Sequence, residues 1–152
     1  AGFRAVSDDD FARVVIAQQF AHAPSWDPSG TSWLPFPFWL YGGVMAVAGT
    51  SLTMARATAF VAGLAATALL FAAGKVMFGR DRPAFAGAAL ATVLPWSARL
   101  GLATVPELPT AALTVFGVAT FAQRRHRILG ALALAVACLS RYEPWPWSRR
   151  SS

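Results

Sequence analysis

Ala57–Gly74 reads ATAFVAGLAATALLFAAG, 18 consecutive residues without a charge, followed by Lys75 and Arg80. Three further runs share that character. Ala84–Ala98 is uncharged and ends at Arg99, Leu108–Gln123 precedes Arg124-Arg125-His126-Arg127, and Ile128–Ser140 closes at Arg141. A membrane-crossing helix needs roughly 17–25 residues. The shorter runs can gain length when a terminal Arg or Lys snorkels to the headgroups. Their glycines (Gly63, Gly74, Gly87, Gly117, Gly130) suit close helix contacts in lipid, where small residues let backbones approach. The spacing predicts four spanning helices, near 56–78, 83–99, 108–123 and 127–141.

Working outward, the 152 residues are 56% apolar and only 13% charged, with a mean hydropathy of +0.48. A soluble domain carries roughly 25% charge. So apolar a chain excludes disorder. The lone Cys138 excludes a disulfide scaffold. The net charge of +6 is split into short clusters between oily stretches, which argues against nucleic acid as a partner. A membrane protein remains. The absence of an initiating Met and of a signal peptide, together with the charged tail at 148–152, leads us to expect an internal segment of a longer polytopic chain.

Charge placement orients the helices. The Gly79-Arg80-Asp81-Arg82-Pro83 loop and the Arg124–Arg127 loop fall on one side after even counting. Cytoplasmic loops carry the Arg and Lys excess. Glu107, Glu143 and the start of the first span then face outward, with Trp96, Trp145 and Trp147 at an outer belt. The chain divides into an outer first loop (1–55), a four-helix transmembrane region (56–147) and a tail (148–152). The first loop holds two predicted surface helices, 11–23 and 36–48. Two topologies are self-consistent for the second: it lies along the surface, or it spans and moves the acidic start to the other side. Its 13 to 16 residues favour the surface.

The acids are few. Asp8-Asp9-Asp10 follows Ser7 and precedes an apolar helix, so capping is one reading. A carboxylate at the membrane surface, acting as general base or holding a metal ion, is the other. One carboxylate can cap while its neighbour faces a cleft. Glu107 stands between Pro106 and Pro109 and is either the first turn of a helix or a site acid. Arg56 and Arg99 are interface anchors or contacts to an anionic lipid phosphate. Arg141-Tyr142-Glu143 reads as an arginine at the surface paired with a glutamate. His22 and His126 have no companions at metal-ligand spacing.

In this order the pieces resemble the N-terminal part of a GT-C fold glycosyltransferase. The likeness is to the lipid-linked-sugar-dependent branch that includes protein O-mannosyltransferases and the aminoarabinose transferases of lipid A. It rests on six motifs in sequence: Asp8-Asp9-Asp10-Phe11-Ala12-Arg13; Trp33-Leu34-Pro35-Phe36-Pro37-Phe38-Trp39-Leu40; Gly49-Thr50-Ser51-Leu52 to Arg56-Ala57; Lys75-Val76-Met77-Phe78-Gly79-Arg80; Val105-Pro106-Glu107-Leu108; and Arg141-Tyr142-Glu143. One departure stands out. Ser32-Trp33-Leu34 occupies the place where aminoarabinose transferases carry an acid–Lys pair.

The resemblance implies an all-α, polytopic transmembrane bundle with an outer-surface loop carrying amphipathic helices. It implies a polyprenyl-phosphate sugar donor, an acceptor hydroxyl at the outer face of a bacterial inner membrane, and inversion at the anomeric centre. Asp8, Asp9 or Asp10 would be the general base. Glu107 takes the place of a second-loop acid that shapes the acceptor or metal site, which leaves room for a divalent metal but requires no cofactor. Arg56 or Arg99 would contact the donor phosphate, and Glu143 is grouped with them as substrate-binding. Membrane lipid and the rest of its own longer chain are the further partners. The competing class is a non-catalytic membrane protein, a transporter or assembly-scaffold segment. Transporters usually place functional charges near the midplane, whereas here they sit at the ends of the runs. A soluble bundle is disfavoured because these helices are apolar on every face.

Overall fold

The computed structural model describes residues 8–94 and 103–142. Within them the chain is helical and contains no strand. Two helices precede the long apolar run, α1 (Asp8–His22) and α2 (Phe36–Ala48). The run itself forms α3 (Leu52–Phe78), and α4 (Asp81–Val93) follows after a tight turn. The chain then gives α5 (Glu107–Phe121), a 3₁₀ turn at Arg124–His126, and α6 (Arg127–Ser140).

Local chemistry explains the boundaries. Helix α3 starts four residues before its predicted position because Ser51 caps it, its Oγ accepting from Met54 N at 3.1 Å. It stops at Gly79, whose φ of +64° is the left-handed conformation that a glycine takes readily and whose N–H donates to Lys75 O. Helix α4 was expected to run to 99. It ends at Val93, and Leu94 takes the extended backbone (φ −54°, ψ 131°) that a following proline imposes. Helix α2 begins with Pro37 in its first turn, where the missing N–H has no intrahelical partner to lose, and closes before Gly49.

The expectation of four spanning helices is not met by helix length. Among the described residues only α3, with 27, is long and apolar enough to cross a bilayer. At 1.5 Å per residue the 13, 15 and 14 residues of α4, α5 and α6 reach only about 20–22 Å, against a hydrocarbon core of roughly 30 Å. What α3 faces is nevertheless informative. Only 17% of its apolar window is buried, and Phe60, Val61 and Leu64 are each at least half exposed. Leaving one such side chain in water forgoes about 1.5–3 kcal/mol. The core helix of a soluble protein would be covered, so α3 is suited to lipid.

Helix α5 lies between α3 and α6, α4 packs on α3, and α1 packs on α2. Small residues make these contacts close. A Cβ added at Gly74 would stand 2.9 Å from Ala84 Cα, and one added at Gly117 would stand 2.7 Å from Leu134 Cγ. Several hydroxyls within the apolar helices turn back on their own backbone. Thr58, Thr67, Thr114 and Thr120 each donate to the carbonyl four residues earlier at 2.7–3.0 Å, which spares those four hydroxyls from facing lipid bare.

Helix direction sorts the ends. The starts of α3 and α5 and the finish of α6 gather under α1, while the α3–α4 and α5–α6 turns lie at the far end. The far end holds Arg80, Arg82, Arg124 and Arg127, and Lys75 Nζ pairs with Asp81 Oδ1 at 2.9 Å there. The α1 end holds Asp8, Asp9, Asp10 and Glu107.

Candidate active site

Helix α1 opens with three carboxylates in its first turn, where the helix dipole favours negative charge. They do not share one fate. Asp8 and Asp9 are exposed, whereas Asp10 is buried at 8% exposure. Asp10 Oδ1 accepts from Thr104 N at 2.8 Å and is also met by Thr104 Oγ1, which lies 2.9 Å from the Asp10 carbonyl as well. This pins the start of α1 to the residues just before α5, across 94 positions of sequence. Removing the hydroxyl in Thr104→Val should cost about 1–3 kcal/mol, because Asp10 then keeps one donor where it had two. A thermal melt of the detergent-solubilised protein reads this directly, and an unchanged Tm would show that the link carries no stability.

One turn beyond Asp9 on the same face stands Arg13. Its guanidinium carbon lies 4.5 Å from the centre of the Trp33 ring and 5.9 Å from that of Phe38, and the two rings are stacked at 6.1 Å. Such contacts fix a cation in orientation without neutralising it. Burial pulls the Arg13 guanidinium below its ordinary pKa, and the nearby charges of Glu107 and Asp9 oppose that pull. Arg13 Nε is buried and finds no acceptor among the described residues. Beneath it, burial and the Asp10 charge raise the Tyr41 hydroxyl well above the usual phenol range.

Glu107 begins α5 and its Oε1 is paired with Arg141 Nη1 at the end of α6. Its other oxygen, Oε2, is buried without a partner, as is Thr110 Oγ1 one turn on. Arg141 thus reaches an acid 34 positions upstream. Arg56 lies in the second turn of α3 directly after Ala55, which packs with Val14, Ala17, Tyr41 and Met45. Gln18 Nε2 donates to Thr50 O at 2.7 Å and holds that corner to α1. Of the residues singled out by sequence, the fold brings Asp9, Asp10, Glu107 and Arg56 to one end. Arg99 and Glu143 lie outside the described residues, as do Trp96, Trp145, Trp147 and Ser7. Among the described residues no three His, Cys, Asp or Glu side chains come together as metal ligands.

Two features escaped sequence reasoning. Thr104 carries no signal, being one threonine in an unremarkable stretch. Arg13 was quoted only as part of a motif, although its i+4 spacing from Asp9 could have marked it. A third feature lies at the same end of the helices. An open apolar groove of about 470 Å³ runs from Phe36 and Leu40 of α2 along Met54, Val61 and Leu69 of α3, with Pro109 of α5 on its other wall.

These observations define a class: a protein helical throughout its described residues with a lipid-suited helix, four of its acids and several arginines gathered at one end of the helices, and an apolar groove at that same end. The chain belongs to the dolichyl-phosphate-mannose-protein mannosyltransferase family, whose family model matches residues 28–145, 118 of the 152. This is a membrane-integral, GT-C-type family of mannosyltransferase-like glycosyltransferases that draw on a dolichyl- or polyprenyl-phosphate-linked sugar. Arg56, Arg99, Glu107 and Glu143 fall inside the matched span, while Asp8–Asp10 precede it. No curated protein and no solved structure matches the chain.

Proposed function

We propose that this chain is the N-terminal part of an inverting glycosyltransferase that moves a sugar from a polyprenyl-phosphate donor to an acceptor hydroxyl at the outer membrane surface. The observation that carries this reading is the presence of the charged cluster and the apolar groove at the same end of the helices, because the donor is itself a charged head on an apolar tail. The tail would lie along α2 and α3 in the bilayer, and the sugar would stand beside α1. In this topology α2 stays at the surface, α3 to α6 with the residues around them form the membrane region, and the basic turns face the cytoplasm.

Asp9 takes the role of general base. Asp10 is committed to Thr104, whereas Asp9 is exposed and directed toward the Arg13 cluster. Its carboxylate removes the proton from the acceptor hydroxyl as that oxygen attacks the anomeric carbon. The bond from that carbon to the phosphate oxygen breaks, and polyprenyl phosphate leaves with its electrons. Glu107, held by Arg141, lines the acceptor side. Arg56 stands at the membrane surface as a donor contact, with Arg99 and Glu143 as further substrate-binding residues.

The test is turnover in membranes. Membranes enriched in the native-length protein, given radiolabelled polyprenyl-phosphate mannose, should release polyprenyl phosphate and label an acceptor well above membranes that lack the protein. Equal turnover in both, across a panel of donor sugars and acceptors, would leave the non-catalytic membrane protein as the better account.

A further inference from the structure

We infer that Arg13, seated on Trp33 and Phe38, is an anion-binding residue whose ligand is the phosphate of a lipid-linked donor. The inference rests on the transferase reading above and adds to it a contact that neither the family match nor the sequence motifs assign. Residue 13 lies ahead of the matched span.

The physical case starts from an imbalance. A half-buried guanidinium normally meets a carboxylate or several carbonyls, because its five N–H donors are costly to leave bare. Arg13 has no ion pair among the described residues, and its Nε is buried without an acceptor. Glu107, the acid whose charge acts most on Arg13, pairs with Arg141 through Oε1 and makes no ion pair with Arg13. What holds Arg13 in place is the face of Trp33 at 4.5 Å, with Phe38 behind it. A stacked guanidinium keeps its edge free, and that edge is the fork that recognises phosphate in a bidentate manner. The aromatic platform fixes the fork before any ligand arrives, so little rotamer freedom remains to be lost on binding.

Position agrees with the chemistry. In an inverting transfer the base and the departing phosphate stand on opposite sides of the anomeric carbon. Asp9 and Arg13 are one helical turn apart on one face, about 5–6 Å between Cβ atoms. That spacing sets the carboxylate on the acceptor side and the longer arginine on the phosphate side. Phe36 and Leu40, two residues either side of Phe38 and so on the opposite face of α2, line the groove, and a lipid tail would reach it from a phosphate at Arg13 by passing around the start of that helix.

The experiment uses the native-length protein in detergent, with geranylgeranyl phosphate as probe and geranylgeraniol and inorganic phosphate for comparison. Arg13→Gln should weaken geranylgeranyl phosphate binding by about tenfold or more and leave geranylgeraniol binding unchanged. Arg13→Lys should recover part of the loss, since it restores charge but not the fork. Trp33→Leu, which keeps the charge and removes the platform, should cost severalfold and serves if Arg13→Gln does not fold. Arg82→Gln at the far end is the control and should bind as wild type. An Arg13→Gln protein that melts like wild type and still binds the probe equally well overturns the inference. Inorganic phosphate binding as tightly as the probe overturns the assignment to a lipid. Sugar transfer that persists unchanged in Arg13→Gln overturns the subsite and leaves the transferase standing. Arg13-dependent probe binding in a protein that transfers no sugar from any donor keeps the subsite and overturns the transferase.

Discussion

Asp9→Asn should lower sugar transfer by a factor of about 10²–10⁴ while the protein accumulates in the membrane at its normal level. The substitution keeps the shape of the side chain and removes only its capacity to take a proton. Asp9 is exposed at the first turn of α1, so its carboxylate holds no buried partner whose loss would unfold the site. Asp10→Asn should behave in the opposite way. There the carboxylate accepts from both the backbone and the hydroxyl of Thr104, and an amide is a weaker acceptor for each. The expected result is a protein destabilised by about 1–3 kcal/mol, visible as a lower Tm, whose surviving folded fraction still turns over. Radiolabelled donor turnover normalised to protein amount separates the two cases. Loss of activity in Asp8→Asn with none in Asp9→Asn would move the base by one residue. Loss in neither would show that the acids of α1 are helix caps.

The second large effect is on assembly of the helices. Gly130→Leu should destabilise the protein by about 3 kcal/mol or more and cut its accumulation in membranes severalfold. A side chain at this position meets backbone on the facing helix. The new Cβ would collide with Phe121 N, stand 2.7 Å from Phe121 Cα and lie 2.8 Å from Gly117 O. Backbone cannot rotate away as a side chain can, so α5 and α6 would have to separate. Such a separation would also draw Arg141 from Glu107 at the site end. Gly87→Ala in α4 is the matched control. A Cβ there meets nothing within 4 Å, and the change should be neutral or stabilising by up to about 1 kcal/mol. Equal Tm values for the two variants would show that the α5–α6 contact is looser than described.

Much of the helical plan was legible in the residues. Phe36–Ala48 was anticipated to the residue, because Pro37 marks a first turn and Gly49 a stop. Asp8–Asp10 and Glu107 stood out because acids are so scarce in this chain. The spans were harder to read. Uncharged runs of 13–18 residues suggested four crossings, and the helices within them are mostly shorter than a bilayer, since capping and proline chemistry rather than charge decide where a helix stops.

By itself the sequence determined the solvent and the sorting of charge. Uncharged runs and basic turns are one-dimensional properties, and the cost of placing them wrongly is paid locally by each segment. Which acid is committed and which is exposed was settled only by tertiary contacts. Asp10 is held by a threonine 94 residues away, Glu107 by an arginine 34 residues on, and Arg13 by one ring from the loop before α2 and another from α2 itself. Hydrogen bonds and ring contacts act over a few ångströms, so these roles exist only once helices distant in sequence have been packed side by side.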